Sequence, residues 1–326
     1  ITSRILRLAL YTVLILIGAA VAGNWAMRQA TRHALEDSAR RGPEQLSLYA
    51  NSLHTVIERY RALPAVLALD PELISALTQP ITAQVQAQLN RKLERINGAA
   101  QSSTLELLDS TGLAVAASNW NTSNSYVGHN YGFRPYFRQT RSQGTGSFYA
   151  VGVTSGIPGY FMSSAVHADD GRFLGAMVVK LEFPELEREW SQGNDTLLVS
   201  DKRGIVFIAN QPGWRYRHLR ELNDSDRNDI TDTRQYDKQP LTLMTSHTLQ
   251  SFADNSFLTR VNGPDGPVDY LWGTQALNPE GWTLHLLRRP AISAEDTRNA
   301  ALAAIGLWLT LVFLGLFLLQ RWRLAK

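Results

Sequence analysis

The chain has 326 residues, of which 44% are apolar, enough for two domains with cores of their own. It contains no cysteine, which excludes a disulfide framework and a thiolate metal site. Its small net positive charge comes from the two ends. Residues 28–299 hold 27 basic and 29 acidic side chains, so the net charge of the chain does not indicate a surface for nucleic acid.

Two apolar segments lie near the ends of the chain. Leu8–Met27 and Ala300–Leu319 are each 20 residues long and carry no charge. As helices rising ~1.5 Å per residue, both would reach about 30 Å, the thickness of the hydrocarbon core of a bilayer. The pattern therefore predicts two transmembrane helices. The alternative for the first is a cleaved signal peptide, although Gly23-Asn24-Trp25 is a poor cleavage site.

Basic residues flank both apolar segments on their terminal sides. They are Arg4, Arg7, Arg321, Arg323 and Lys326. By the positive-inside tendency, both ends of the chain are cytoplasmic. We therefore expect a two-pass protein of a bacterial inner membrane, with residues 28–299 in the periplasm.

The segment after the first span has a helical pattern with a break or kink at Gly42-Pro43. Between residues 44 and 63, apolar residues recur at spacings of three and four and form one stripe. They are Leu46, Tyr49, Leu53, Val56, Tyr60 and Leu63. The stripe could pack on its own domain or on the same helix of a second copy, and a homodimer is the expected assembly. Shorter helices are predicted from Pro71 and over Thr82–Ile96.

The strand pattern that begins after residue 103 occurs twice, 92 residues apart. In each copy an apolar strand leads into a D-x-x-G turn, at Asp109–Gly112 and at Asp201–Gly204, and a second apolar strand follows. Aspartate bonds its own backbone and glycine accepts positive φ, so both turns suit tight hairpins. About five antiparallel strands with helical connections are predicted in each half, typical of a PAS-like module. The alternative is two unrelated hairpins.

The predicted fold class is α+β, with a long N-terminal helix and two tandem PAS-like antiparallel-sheet modules between two transmembrane helices. The predicted segments are 1–27 (cytoplasmic end and first span), 28–69 (long periplasmic helix), 70–190 (membrane-distal ligand-binding module), 191–290 (membrane-proximal module), 291–299 (linker) and 300–326 (second span and cytoplasmic end).

Lys180 is the most informative candidate for a binding residue. It lies within an apolar strand, on the predicted face shared by Leu174, Ala176 and Val178. A lysine is costly to bury without an anionic partner, so an inward Lys180 indicates an anionic ligand. The alternative is that this face is exposed to solvent.

Further candidate contacts come from two segments of the distal half. In the aromatic segment 131–137, Arg134 could bind a carboxylate through two parallel hydrogen bonds, or could be a surface arginine stacked on a ring. The other candidates are Tyr136, Tyr149, Thr154, Ser155 and Ser163. A cavity with two cations and few acids suits a small molecule with two carboxylates.

The F-R-P-Y-F segment at 133–137, the T-S-G-x-P-G-Y-F-x-S-S segment at 154–164 and the inward lysine resemble periplasmic sensors of the DctB-type C4-dicarboxylate sensor histidine kinases. The resemblance implies a distal module that binds succinate, fumarate or malate. It places Arg134 and Tyr136 on one carboxylate and Lys180 on the other, with Thr154, Ser155 and Ser163 as hydrogen-bond donors. It also implies a kinase domain after Lys326, which would use ATP and Mg²⁺ and signal to a cytoplasmic response regulator.

The chain has no Gly-rich phosphate loop, no H-E-x-x-H and no G-x-S-x-G, and its seven histidines show no metal spacing. We therefore expect no catalytic residue, metal or cofactor in this region. The same architecture also occurs before chemoreceptor or cyclic-dinucleotide signalling domains, and related modules bind amino acids or other carboxylates. A third interpretation is a membrane protein whose outer domain binds a protein partner.

Overall fold

The computed structural model describes residues 2–252, 255–263 and 266–325. Lys326 lies outside these ranges, as do the side chains of Arg4 and Arg7. The helices are α1 Thr2–Arg40, α2 Gly42–Arg61, α3 Leu63–Ala68, α4 Pro71–Thr78, α5 Ala83–Ala100, α6 Pro135–Gln143, α7 Pro184–Trp190, α8 Asp224–Thr233 and α9 Ala294–Leu324. The strands are β1 Thr104–Asp109, β2 Ala114–Ala117, β3 Thr145–Val151, β4 Pro158–His167, β5 Phe173–Leu181, β6 Thr196–Ser200, β7 Val206–Ala209, β8 Arg217–His218, β9 Thr242–Leu243, β10 Ser246–Ser251, β11 Ser256–Gly263, β12 Gly266–Leu277 and β13 Trp282–Arg288.

Two antiparallel sheets follow one another along the chain. The first has the order β2-β1-β5-β4-β3, and the second has the order β7-β6-β13-β12-β11-β10. Apart from the extra edge strand β10, the second sheet repeats the strand order of the first. The duplicated α+β architecture predicted from the two D-x-x-G hairpins is therefore confirmed, while β8 and β9 form a small parallel pair.

The two hairpin turns are built alike. The Asp109 carboxylate accepts hydrogen bonds from the amides two and four residues further on, at 2.8 and 3.0 Å. The Asp201 carboxylate does the same, at 2.9 Å for both. Gly112 and Gly204 close the turns with φ of +89° and +80°, a conformation that residues with a Cβ rarely adopt. The D-x-x-G spacing thus favours this turn, because the aspartate accepts the two backbone hydrogen bonds and the glycine takes the positive φ.

Helix α2 lies along both modules. Its residues Leu46, Leu53, Ile57 and Tyr60 are buried in one apolar core to which both sheets contribute. Because the predicted stripe packs against its own chain, that stripe carries no argument for a dimer. The break before α2 falls at Arg41, where Pro43 lacks the amide that would continue the ladder of α1.

The six-stranded module lies beside the end of α1, and the five-stranded module lies further along α2 and α3. At the first contact, the Arg288 guanidinium donates to the carbonyl of Ser38 at 3.4 Å. If α1 begins in the membrane, the second module is therefore proximal to it and the first module is distal.

Two helical stretches, the one that begins with α1 and the one formed by α9, are long and apolar enough to cross a membrane by length and composition. They pack side by side: Trp308 lies against Gly18, and its indole donates to the carbonyl of Ile15 at 3.1 Å. Further along, Gly23 lies against Ile305. The two helices run antiparallel, so the N-terminal end of α1 and the C-terminal end of α9 lie on the same side, as the basic flanks predict. Small residues that allow such close approach are common between membrane helices.

Candidate functional site

The distal module contains a narrow cavity of about 10 Å³ on the face of its sheet that points away from α2. The sheet forms its floor, and helix α6 and the loop between β3 and β4 cover it. Its lining consists of Glu106, Tyr126, Tyr131, Arg134, Tyr136, Gly152, Val153, Thr154 and Phe161.

Strand β5 directs alternate side chains toward this cavity and toward the core around α2. Ala176 and Val178 lie on the cavity side with Lys180, as predicted. The prediction for Leu174 is wrong, because this residue packs in the α2 core. The pairing of β4 with β5 shifts by one residue at this point, which makes Leu174 the extra residue of a bulge and reverses the alternation.

The segment before α6 folds back over the first hairpin. The amide of Tyr131 donates to the carbonyl of Gly112 at 2.7 Å, which fixes the tyrosine above the sheet. Arg134 then takes an extended conformation, with φ −71° and ψ 139°, because Pro135 disfavours a helical residue before it. The next residue, Tyr136, is buried and stacks on Phe161 with ring centroids 5.1 Å apart.

The loop Gly152–Ile157 covers the cavity and carries two of the predicted hydroxyls. The hydroxyl of Thr154 lies 2.7 Å from that of Tyr131. The hydroxyl of Ser155 lies 3.3 Å from that of Tyr126. The loop is therefore held in place by two tyrosines that also line the cavity.

Arg134 is only 1% exposed and joins the two modules. Its guanidinium donates to the carbonyl of Val151 at 2.7 Å and to the carbonyls of Thr233 and Arg234, both at 3.0 Å. The last two carbonyls are at the C-terminal end of α8, in the proximal module. Burial lowers the pKa of the guanidinium. Arg134 is thus both a wall of the cavity and a connection to the neighbouring module.

Lys180 is also 1% exposed and lies at the edge of the same cavity. Its ammonium lies 5.8 Å from the centroid of Phe161 and donates to the Glu182 carboxylate at 2.6 Å. Its stem passes over Gly159, where a Cβ would come within 2.6 Å of the lysine Cε. The two predicted cations are therefore both buried at one site.

The expectation of few acids at the site is wrong. Glu106 lines the cavity at 2% exposure, and Glu182 pairs with Lys180. The Tyr136 hydroxyl donates to the Glu106 carboxyl at 3.3 Å. Burial raises the pKa of Glu106 to about 7, while the hydrogen bond from Tyr136 and the charges of Lys180 and Arg134 act in the opposite direction.

Two predicted contacts lie away from the cavity. Tyr149 packs between the modules, where its hydroxyl donates to the carbonyl of Phe207 at 3.0 Å. The hydroxyl of Ser163 lies 2.6 Å from that of Thr140 and near the carbonyls of Tyr136 and Gly146. These bonds fasten α6 to the sheet.

The remaining lining residues were missed from sequence. Tyr131 stands only three residues before Arg134, and Phe161 faces Lys180 across the strand pair. Their signal was the aromatic density of the two segments. In the described ranges, no group of three or more His, Asp or Glu side chains is placed to hold a metal ion.

The proximal module has apolar residues where the distal module has its charged site. The register that pairs Thr104 with Lys180 pairs Thr196 with Leu287 in the second sheet. By the same 92-residue offset, Leu198 stands at the position of Glu106, and both leucines are fully buried. At these two positions the proximal module therefore has no counterpart of the charges Lys180 and Glu106.

The fold and the site together define a membrane-anchored sensor with two tandem PAS-like modules. No protein-family model matches the chain. It is 32% identical over 315 residues to the C4-dicarboxylate transport sensor protein DctB of Rhizobium meliloti, which covers 96% of this chain and 50% of that protein. It is 31% identical over 295 residues to the protein of the same name from Pseudomonas aeruginosa, which covers 88% of this chain and 44% of that protein.

Among solved structures, the sensor domain of the V. cholerae histidine kinase DctB matches with a TM-score of 0.71 and 26% identity, over 79% of this chain and 98% of that one. The chain is therefore a DctB-type sensor. It spans about half the length of the curated relatives it matches.

Proposed function

We propose that the distal module binds a C4-dicarboxylate such as succinate, fumarate or malate in the cavity between α6 and the sheet. The observation that carries the proposal is that two buried cations lie close together here: Arg134 lines the cavity, and the Lys180 ammonium lies 5.8 Å from the ring of the lining residue Phe161. The cavity holds only about 10 Å³, the space of roughly one water molecule. In this proposal the covering loop Gly152–Ile157 therefore moves outward to admit the diacid.

In this proposal each carboxylate has its own partners. One carboxylate binds the Arg134 guanidinium and the hydroxyls of Tyr131 and Thr154 at the covering loop. Tyr136, whose hydroxyl donates to Glu106, and Ser155, whose hydroxyl lies beside that of Tyr126, are the other proposed contacts. The other carboxylate binds the Lys180 ammonium, which exchanges its hydrogen bond with Glu182 for one with the ligand. Charge-assisted hydrogen bonds of this kind are the strong ones.

The signal would leave the site through Arg134. A ligand carboxylate that attracts the guanidinium competes with the carbonyls of Thr233 and Arg234, and so changes how α8 is held. Gln235 adds two further hydrogen bonds between the modules. Its carbonyl accepts from the amide of Val151 at 2.7 Å, and its side chain donates to the carbonyl of Tyr149 at 3.1 Å. A tenfold change in a two-state equilibrium needs only about 1.4 kcal/mol of differential binding.

The output we propose is a histidine kinase domain that uses ATP and Mg²⁺ and phosphorylates a cytoplasmic response regulator. The support is the resemblance to relatives twice as long as this chain. In that arrangement the protein is a two-pass dimer of the bacterial inner membrane, with both modules in the periplasm.

Calorimetry on the full chain in detergent with succinate, fumarate and malate tests the proposal. The unmodified chain should bind at least one of them. Lys180→Met should weaken binding at least tenfold, because a hydrogen bond to a charged group is worth about 1.5–3 kcal/mol. Lys238→Met, at an exposed lysine of the proximal module, is the matched control and should bind as the unmodified chain does. The assignment would be overturned if none of the three diacids gave a heat of binding and a compound of another class did.

A further inference from the structure

Glu106 is a buried acid whose second oxygen has no hydrogen-bond partner. Its Oε1 accepts from Tyr136, but its Oε2 is buried without a partner among the residues that the structure describes. A buried polar atom that stays unpaired costs about 1–3 kcal/mol, more when it is charged. An atom of this kind, at the wall of a ligand cavity, indicates that its partner belongs to the ligand.

The groups that face Glu106 give it no second bond. From the start of α6 come Arg134 and Tyr136, from β5 comes Lys180, and from the segment before α6 come Tyr131 and, beside it, Tyr126. Among the residues that the structure describes, the side-chain hydrogen bonds of Arg134 go to backbone carbonyls, and that of Lys180 goes to Glu182. Both cations thus act on Glu106 only through their charge.

The fold itself does not require an acid at this position. In the proximal module, the equivalent residue of the equivalent strand is Leu198, which is fully buried. An isolated carboxyl in the interior of a sheet destabilises the fold unless it is paired. Its presence in only one of the two modules, the one with the cavity, points to a role in binding.

We propose that Glu106 is a specificity residue that carries a proton when the ligand is bound, and that its acid form donates a hydrogen bond from Oε2 to a carboxylate oxygen of the diacid. This inference rests on the proposed function. The proton comes from solvent, and no covalent bond other than the O–H bond forms or breaks. Without the proton, Glu106 would stand as an anion beside an anionic ligand.

Binding would then depend on pH. Burial places the pKa of the free carboxyl at about 7, and a nearby carboxylate raises it further by repulsion between like charges. Above about pH 7 the free site has lost this proton and must take it up again when the ligand binds. The dissociation constant should therefore rise by up to about tenfold per pH unit above neutrality.

Calorimetry with succinate on the full chain in detergent, in two buffers of different ionisation enthalpy and between about pH 6.5 and 8.5, measures this directly. The unmodified chain should take up close to one proton per ligand at the alkaline end. Glu106→Gln, and Glu106→Leu, which copies the proximal module, should take up none and show a flat pH profile. Asp169→Asn, at an exposed turn of the same module, is the control and should keep the original profile.

The outcomes separate the two proposals. If the unmodified chain binds succinate but takes up no proton, and Glu106→Gln has the same pH profile, the role of Glu106 is refuted and the diacid site stands. If Glu106 instead stays ionised to pair with an ammonium group, an amino acid will bind the unmodified chain, Glu106→Gln will lose it, and both proposals fail. If none of the three diacids binds, both proposals also fail.

Discussion

The stability of the outer modules should depend on pH through Glu106, and Glu106→Gln should remove that dependence. The folded protein holds the Glu106 proton up to a pKa of about 7, whereas the unfolded chain releases it near the ordinary value of 4.5. Between these two values the folded state binds more protons. The free energy of unfolding therefore receives the full contribution of this group below about pH 4.5 and loses it as the pH rises through about 7.

The size of the effect follows from the two pKa values. Each tenfold change in proton affinity is worth about 1.4 kcal/mol, so the full change is about 3 kcal/mol. Any cost of burying the amide of Gln does not vary with pH. The useful quantity is therefore the change with pH in the difference between the variant and the unmodified chain.

Urea denaturation of the full chain in detergent, followed by tryptophan fluorescence, provides this quantity. The fluorescence reports on the two modules because Trp190, Trp214, Trp272 and Trp282 are buried in them. Between about pH 4.5 and 8, the difference should shift by about 3 kcal/mol in favour of Glu106→Gln. Glu221→Gln, at an exposed glutamate, should give a constant difference. The reasoning is refuted if Glu106→Gln also gives a constant difference over this range.

Three further outcomes are expected. Gly159→Ala should weaken succinate binding about tenfold or more in calorimetry, since its methyl group would come within 2.6 Å of the Lys180 Cε; unchanged affinity would show that the lysine stem need not lie there. Burial lowers the pKa of His285 to about 3, so the contribution of this group to the free energy of unfolding should be lost as the pH falls below about 6.5, opposite in sign to that of Glu106. In urea denaturation the difference between His285→Gln and the unmodified chain should therefore shift toward the variant as the pH falls; a constant difference would contradict a buried neutral imidazole. Asn210→Ala should lower the free energy of unfolding by about 2 kcal/mol, because Asn210 bonds Trp190, Asp195 and Leu197; a loss under about 0.5 kcal/mol would argue against that role.

The architecture could be predicted from sequence because its signals are local. Two uncharged segments of membrane length and two D-x-x-G turns are each legible within twenty residues, and the equal order of both sheets follows from the repeated hairpin. The prediction of the second sheet was less complete, because it lacked one strand. Its edge strand β10 is exposed along its whole length, so it lacks the apolar alternation that marks a strand.

The site was predictable only in part. The burial of Lys180 could be predicted because a single charge interrupts an apolar strand. The backbone bonds of Arg134 to α8 join residues about a hundred positions apart, and no local pattern indicates them. The displacement of Leu174 depends on a bulge, which alternation cannot foresee. Glu106 did leave a signal, since the 92-residue offset aligns this acid with Leu198.

Helix α2 and the apolar core that both modules share also limit how the protein can move. Because both modules pack on helix α2 and share one apolar core, they cannot separate at a hinge without exposing that core to water. A small displacement of α8 would therefore travel as a tilt or slide of the paired unit as a whole. If α1 and α9 span a membrane, such a slide would shift the two helices against each other at the contact of Trp308 with Gly18.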